Sequence, residues 1–255
     1  MQHRRHRKGV EMMEKEVSIP TKYGAQPAFA VCPSEPGMYA PVILFMDAPG
    51  MREELRNMAR RIARAGYYCL LPDLYYRLGT LRFDVPRRNE AMSVLIRGAM
   101  ASLSNADVLD DTCGMLAFLD AQEQAAPGPV GAIGHCMSGP FVVTAAAHLP
   151  RVAAVAALYG VNMVTDKPDS PHLAADKIQG EVYAAFAEID PAVPSNVVPT
   201  FRNAMERANV AARVDVVPGT HHGFCFAARN DYHPRAAEAV WEDIMAMFMR
   251  RLHDQ

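Results

Sequence analysis

No stretch of this sequence approaches the roughly 18 consecutive apolar residues that a membrane-crossing helix requires. Its N-terminus also lacks the apolar core of a secretory signal. An excess of one charge is missing too. Lys and Arg number 26 against 28 Asp and Glu, a formal net charge of −2, which leaves no broad positive field for nucleic acid. Glycine (16) and proline (19) are too few for a collagenous or low-complexity chain, and 50% hydrophobic residues are too many for intrinsic disorder. No sustained heptad pattern suggests a coiled coil. The five cysteines, Cys32, Cys69, Cys113, Cys136 and Cys225, are odd in number and widely spread, which argues against a disulfide framework and for a reducing cytoplasm. These absences leave a globular protein, monomer or homodimer, whose partner is a small molecule rather than nucleic acid or a membrane.

At 255 residues the chain fits a single α/β core. The basic run His3, Arg4, Arg5, His6, Arg7, Lys8 and the mixed charges of Glu11–Glu16 predict a flexible N-terminal tail over 1–16, with Met12 or Met13 a possible start and one domain over 17–255. Beyond it, apolar runs alternate with segments of helical spacing. Strands are expected at Val42–Met46, Tyr67–Leu71, Val130–Ile133, Val152–Leu158, Val182–Phe186 and Val214–Val217, each apolar on both faces as a parallel sheet requires. Helices are expected at Glu53–Ala65, Asn105–Glu123, Ser138–Ala147, Val197–Ala208 and Arg235–Arg251, covering both faces of a mostly parallel sheet. The stretch Leu78–Ser104, interrupted by Pro86 and Gly98, reads either as a cap over a site or as a helical connection.

Chemistry concentrates at Gly134-His135-Cys136-Met137-Ser138-Gly139, between the strand ending at Ile133 and the following helix. At a strand-to-helix elbow the central residue sits in a strained turn with its side chain raised above the sheet, so the positions two residues either side must be small. Gly134 and Ser138 are. The helix aims its positive N-terminal end at the Cys136 sulfur and favours thiolate. The plain alternative is a small buried core thiol.

Two later segments follow predicted strands, at the sheet edge where such folds present catalytic side chains. Glu188-Ile189-Asp190-Pro191 supplies an acid, and Pro218-Gly219-Thr220-His221-His222-Gly223-Phe224 supplies a base, either His221 or His222. Asp166, Asp169 and Asp176 compete with Asp190, but they precede their strand and are explained by solvation or helix capping. His221, His222 and Cys225 also have the chemistry of zinc ligands, without a clear fourth. Tyr159, closing its strand in Leu158-Tyr159-Gly160, is a further pocket candidate.

The order nucleophile, acid, histidine is that of the α/β-hydrolases, and the segments together resemble the dienelactone hydrolase (carboxymethylenebutenolidase) family from about Val17 to Leu252. The match to His-Gly-Phe selects His222. The resemblance implies an α/β-hydrolase fold, a Cys136–His222–Asp190 triad, an oxyanion hole from the backbone N–H groups of Ala48 and Met137, and hydrolysis of a small ester or lactone through a thioester. No metal or organic cofactor is implied. It also implies that Asp47 modulates the thiol and that Arg77 binds a substrate carboxylate. The sequence departs from the best-known members in having Asp47 for glutamate and Phe226 where a second carboxylate-binding arginine would follow the histidine. The rival reading keeps the fold and abandons turnover: a binding protein with a redox-sensitive elbow cysteine.

Overall fold

The computed structural model describes residues 11–253. Eight strands form one sheet in the order β1-β2-β4-β3-β5-β6-β7-β8. The six strands expected from apolar runs are β3 (Ala40–Phe45), β4 (Tyr67–Pro72), β5 (Val130–His135), β6 (Val152–Leu158), β7 (Glu181–Ile189) and β8 (Ala211–His221). They pair in parallel throughout. Every residue of β3, β4 and β5 is buried, which requires cover on both faces.

Two findings correct the sequence reading. The sheet begins earlier, with an antiparallel hairpin of β1 (Met12–Thr21) and β2 (Gly24–Pro33), and β2 joins β4 antiparallel. The expected tail over 1–16 therefore stops short, because Met12–Glu16 pair with Phe29–Pro33. Its basic run lies outside the described residues. Hairpin strands with one face toward water alternate polar and apolar side chains, so Glu14, Lys15 and Glu16 gave β1 no apolar run. Second, β8 is not buried on both faces. It is the sheet edge, and along it only Thr220 is buried.

Five helices fall where helical spacing places them. They are α1 (Glu53–Arg64), α3 (Asn105–Asp120), α4 (Gly139–His148), α5 (Val197–Arg207) and α6 (Pro234–Phe248), the last running on into a wider turn at Met249–His253. α1 buries Leu55, Met58, Ala59, Ile62 and Ala63 and turns its arginines outward, with Arg56 and Arg60 lying over the Phe29 ring. α4 has no polar face, and Gly139–Ala147 are all buried. The ambiguous stretch after Leu78 is irregular up to Asn89, then forms α2 (Glu90–Ala101), started by the Asn89 side chain accepting from Met92 N. A Ser104 cap on Asp107 N starts α3 directly afterwards.

Candidate active site

β5 is central in the sheet, and the chain leaves it through Cys136, whose φ is +54°. That left-handed conformation costs a non-glycine residue about 1–3 kcal/mol and persists only where its surroundings enforce it. Here the Ser138 hydroxyl accepts from His135 N (2.8 Å) and donates to His135 O (3.0 Å), while Val161 N donates to Cys136 O (3.1 Å). The turn is tight enough that a Cβ on Gly134 would come within 2.3 Å of Ser138 O. Cys136–Ser138 form a single 3-10 turn that feeds α4. The Cys136 residue is buried, with 9% of its surface exposed.

Because β5, β6, β7 and β8 are consecutive in the sheet, their ends set Cys136, Tyr159, Asp190 and His222 side by side. Strands lie roughly 4.8 Å apart, so the segment after β8 must fold back across two neighbours to bring an imidazole to the sulfur. It does. His222 Nδ1 lies 2.7 Å from Asp190 Oδ2, Asp190 Oδ1 accepts from Ala192 N (3.0 Å), and Cys136 is among the groups that raise the pKa of the same ring. Tyr159, itself left-handed at φ +39°, presents its ring edge to His222 with centroids 5.3 Å apart. Burial pulls the His222 pKa down, but the hydrogen bonds from Asp190 and Cys136 outweigh it and carry the ring up to about 9. His221 is exposed, as are Asp166, Asp169 and Asp176. His221, His222 and Cys225 do not converge, and no cluster of three metal-ligating side chains occurs among the described residues.

The returning loop is clamped to the loop after β3. Arg229 Nη2 donates to Asp47 Oδ2 (3.2 Å), Arg52 donates to both Asp47 oxygens, and Glu54 accepts from Arg52 Nη2 (3.1 Å) and from Ala228 N (2.8 Å). The Phe226 ring lies under both guanidinium groups, 4.7 Å from Arg52 and 5.1 Å from Arg229. Gly223, at φ +82°, lets the chain turn beneath Arg229, whose Nη1 would be 2.5 Å from a Cβ there. Beside this cluster burial pushes the His135 ring down to about 4, so it stays neutral against Phe226 and Tyr159.

The clamp bears on the role expected of Asp47. Asp47 is fully buried at the turn after β3, with Gly50 N donating to its carbonyl (2.9 Å). A carboxylate whose two oxygens already accept from guanidinium groups is a poor acceptor for a thiol proton. Its place is that of a structural anion. Arg77 also has a partner within the protein. Its guanidinium donates to the buried Asp111 carboxylate (2.8 Å) and lies over the rings of Tyr23 (4.1 Å) and Tyr76 (4.9 Å). Its Nη2 is engaged inside the protein, whereas Nε and Nη1 are buried without a hydrogen-bond partner among the described residues.

Ala48 follows β3 and Met137 occupies the elbow turn, and both are buried. One residue that sequence reasoning left without a role connects them. The Tyr75 hydroxyl donates to Ala48 O (2.7 Å) and lies 3.3 Å from Met137 Sδ. Arg52, Glu54 and Arg229 were likewise missed. Nothing in their spacing marks them, since each acts across loops far apart in the chain.

Comparison with known proteins identifies a family. The family model described as "Dienelactone hydrolase family" matches residues 27–252. A protein of Synechocystis sp. named as a candidate carboxymethylenebutenolidase is 28% identical over 248 residues, covering 95% of this chain and 99% of its own. An Escherichia coli K12 protein of the same name is 28% identical, covering 91% and 84% respectively. A solved structure from Klebsiella pneumoniae, described as a candidate dienelactone hydrolase, superposes with a TM-score of 0.84 at 27% identity, covering 94% of this chain and 99% of that one. The architecture is the α/β-hydrolase fold that it shares with that structure.

Proposed function

The chain belongs to the dienelactone hydrolase family, and from that premise we propose that it hydrolyses a small ester or lactone with Cys136 as nucleophile, His222 as base and Asp190 as the group that orients it. The observation that carries the reading is His222 Nδ1 held 2.7 Å from the Asp190 carboxylate, with Cys136 among the groups that raise the pKa of the ring.

In the resting site Asp190 fixes Nδ1 as the donor and leaves Nε2 for the sulfur. An imidazole with a pKa of about 9 takes the thiol proton near neutral pH. The thiolate attacks the substrate carbonyl, and the S–C bond forms as the carbonyl electron pair moves onto oxygen. Backbone N–H groups of Ala48 and Met137 receive that oxyanion, Met137 at the start of a helical turn whose first N–H groups have no intrahelical acceptor. Collapse expels the alcohol, protonated by His222, and leaves a Cys136 thioester. Water gives a proton to His222, attacks the thioester and releases the acid, restoring the thiolate. The buried carboxylate stabilises the imidazolium at each stage. A thiol used this way must stay reduced, which fits a cytoplasmic setting. No helix among the described residues is long and apolar enough to cross a membrane.

The test is a panel of activated esters and lactones with wild type and Cys136→Ala, combined with mass spectrometry of the quenched protein. The expected result is turnover that falls at least about 10³-fold in Cys136→Ala and an acyl adduct on Cys136 that hydroxylamine removes. Rapid alkylation of Cys136 with no hydrolysis across the panel would instead make the protein a thiol switch on a hydrolase fold.

A further inference from the structure

His222 is carried on a segment with no helix or strand of its own, between the end of β8 at His221 and the start of α6 at Pro234. Backbone turns follow one another along it. Phe224 N donates to His221 O (3.1 Å), Phe226 N to Gly223 O (2.9 Å) and Arg229 N to Phe226 O (3.1 Å). Such a chain of turns keeps its own shape, but only contacts outside it fix where it lies against the rest of the protein. At its near end the contact is Asp190 with His222 Nδ1. At its far end Arg229 Nη2 donates to Asp47 Oδ2 (3.2 Å) and Ala228 N donates to Glu54 Oε1 (2.8 Å).

Asp47 immediately precedes Ala48, whose N–H receives the oxyanion in the proposed reaction. The Arg229–Asp47 pair therefore ties the loop of the base to the loop of an oxyanion donor, across 182 residues of chain. Asp47 is fully buried and the Arg229 side chain is 21% exposed. Releasing the guanidinium would leave a desolvated carboxylate with one partner fewer, so the bond resists opening. Arg52 cannot make this tie by itself, because it belongs to the same loop as Asp47, and Glu54 reaches the His222 segment only through the backbone N–H of Ala228. Packing runs the same way. Arg229 lies 5.1 Å from the Phe226 ring, Phe226 lies 6.2 Å from Tyr159, and Tyr159 meets the edge of His222 at 5.3 Å.

We propose that Arg229 is a positioning residue, whose bond to Asp47 keeps the His222 loop and the Ala48 loop in the arrangement that serves attack on a carbonyl. The proposal rests on the hydrolytic reading of Cys136 and deepens it by naming what aligns its base with its oxyanion donor. Arg229→Gln is the direct test, since Asp47 keeps Arg52 as its cation and the fold is expected to survive. With 4-nitrophenyl acetate, kcat is expected to fall about 10- to 100-fold at nearly constant KM, and Arg229→Lys, which keeps the charge, is expected to recover part of the loss. The His222 ring, followed by NMR, supplies a sign. Removing a nearby cation acts through its field to raise an imidazole pKa, whereas a ring that drifts from its carboxylate loses the charge that raised it. The midpoint is therefore expected to fall in Arg229→Gln. Combined with Asp47→Asn, the variant is expected to lose little more kcat than the slower single variant, because both substitutions break one bond. An unchanged kcat in folded Arg229→Gln, a His222 midpoint that rises, or losses that multiply in the double variant overturns the proposal. If Arg229→Gln does not fold, Arg229→Lys carries the same readings, and a wild-type kcat and midpoint there overturn it. Should the wild type hydrolyse no ester, the hydrolytic reading fails by itself. Positioning is then read from the His222 midpoint and from the rate at which iodoacetamide labels Cys136 at neutral pH, which are expected to fall together in Arg229→Gln; both unchanged refutes it.

Discussion

Replacing Asp190 by Asn removes the carboxylate charge 2.7 Å from His222 Nδ1 while keeping a side chain of the same shape. In the native protein, burial alone would hold the His222 pKa below its ordinary 6.5, yet Asp190 and Cys136 lift it to about 9. That difference is a preference for the protonated ring on the order of 3 kcal/mol. Its sign follows from linkage. A raised imidazole stabilises the fold fully below the unfolded pKa near 6.5, and the contribution is lost as pH rises through about 9. The wild type should therefore lose stability between pH 6 and pH 10 in urea titrations, whereas Asp190→Asn should lose much less over the same range. An opposite charge at this distance accounts for about 1–3 pH units, so the His222 ring, followed by NMR with labelled histidine, should titrate at least one pH unit lower in the variant. Turnover should fall by about 10³–10⁴ as the tautomer is released. A wild-type ring titrating near 6.5, or a variant with an unchanged midpoint and an unchanged pH dependence of stability, would refute the reasoning.

Tyr75→Phe should lower stability by only about 0.5–1.5 kcal/mol but reduce kcat several-fold at nearly constant KM, because the lost bond to Ala48 O loosens a donor needed in the transition state; a change confined to KM would count against that role. Arg77→Met should destabilise the fold by about 1–3 kcal/mol in urea titrations, since the fully buried Asp111 loses its cation. The same variant should leave the relative turnover of a carboxylate-bearing ester and its neutral analogue where it was, and a fall for the carboxylate-bearing ester alone would make Arg77 a substrate contact. Gly134→Ala should yield a poorly folded protein without esterase activity, as the added methyl group meets Ser138 O at 2.3 Å; circular dichroism and thermal melting matching the wild type would show that the elbow is looser than its geometry implies.

The amino-acid sequence by itself determined the six parallel strands and five helices, because an apolar run marks a strand of a covered parallel sheet and a helix that packs by one side needs a repeat near 3.6 residues. It also determined the elbow, whose cysteine between Gly134 and Ser138 meets a local steric requirement, and the chain order of Cys136, Asp190 and His222, because each follows a strand. The β1–β2 hairpin escaped notice since its charged alternation resembles a solvated tail. What only the tertiary structure decided is which charges are free. Asp47, Arg77, Arg52 and Arg229 look equally available when read along the chain. Their partners lie 5, 34 and as many as 182 residues away. A short-range pattern can specify a turn or a helix face, but the Coulombic partner of a side chain depends on which loops the folded sheet brings together, and that is a property of the assembled strands.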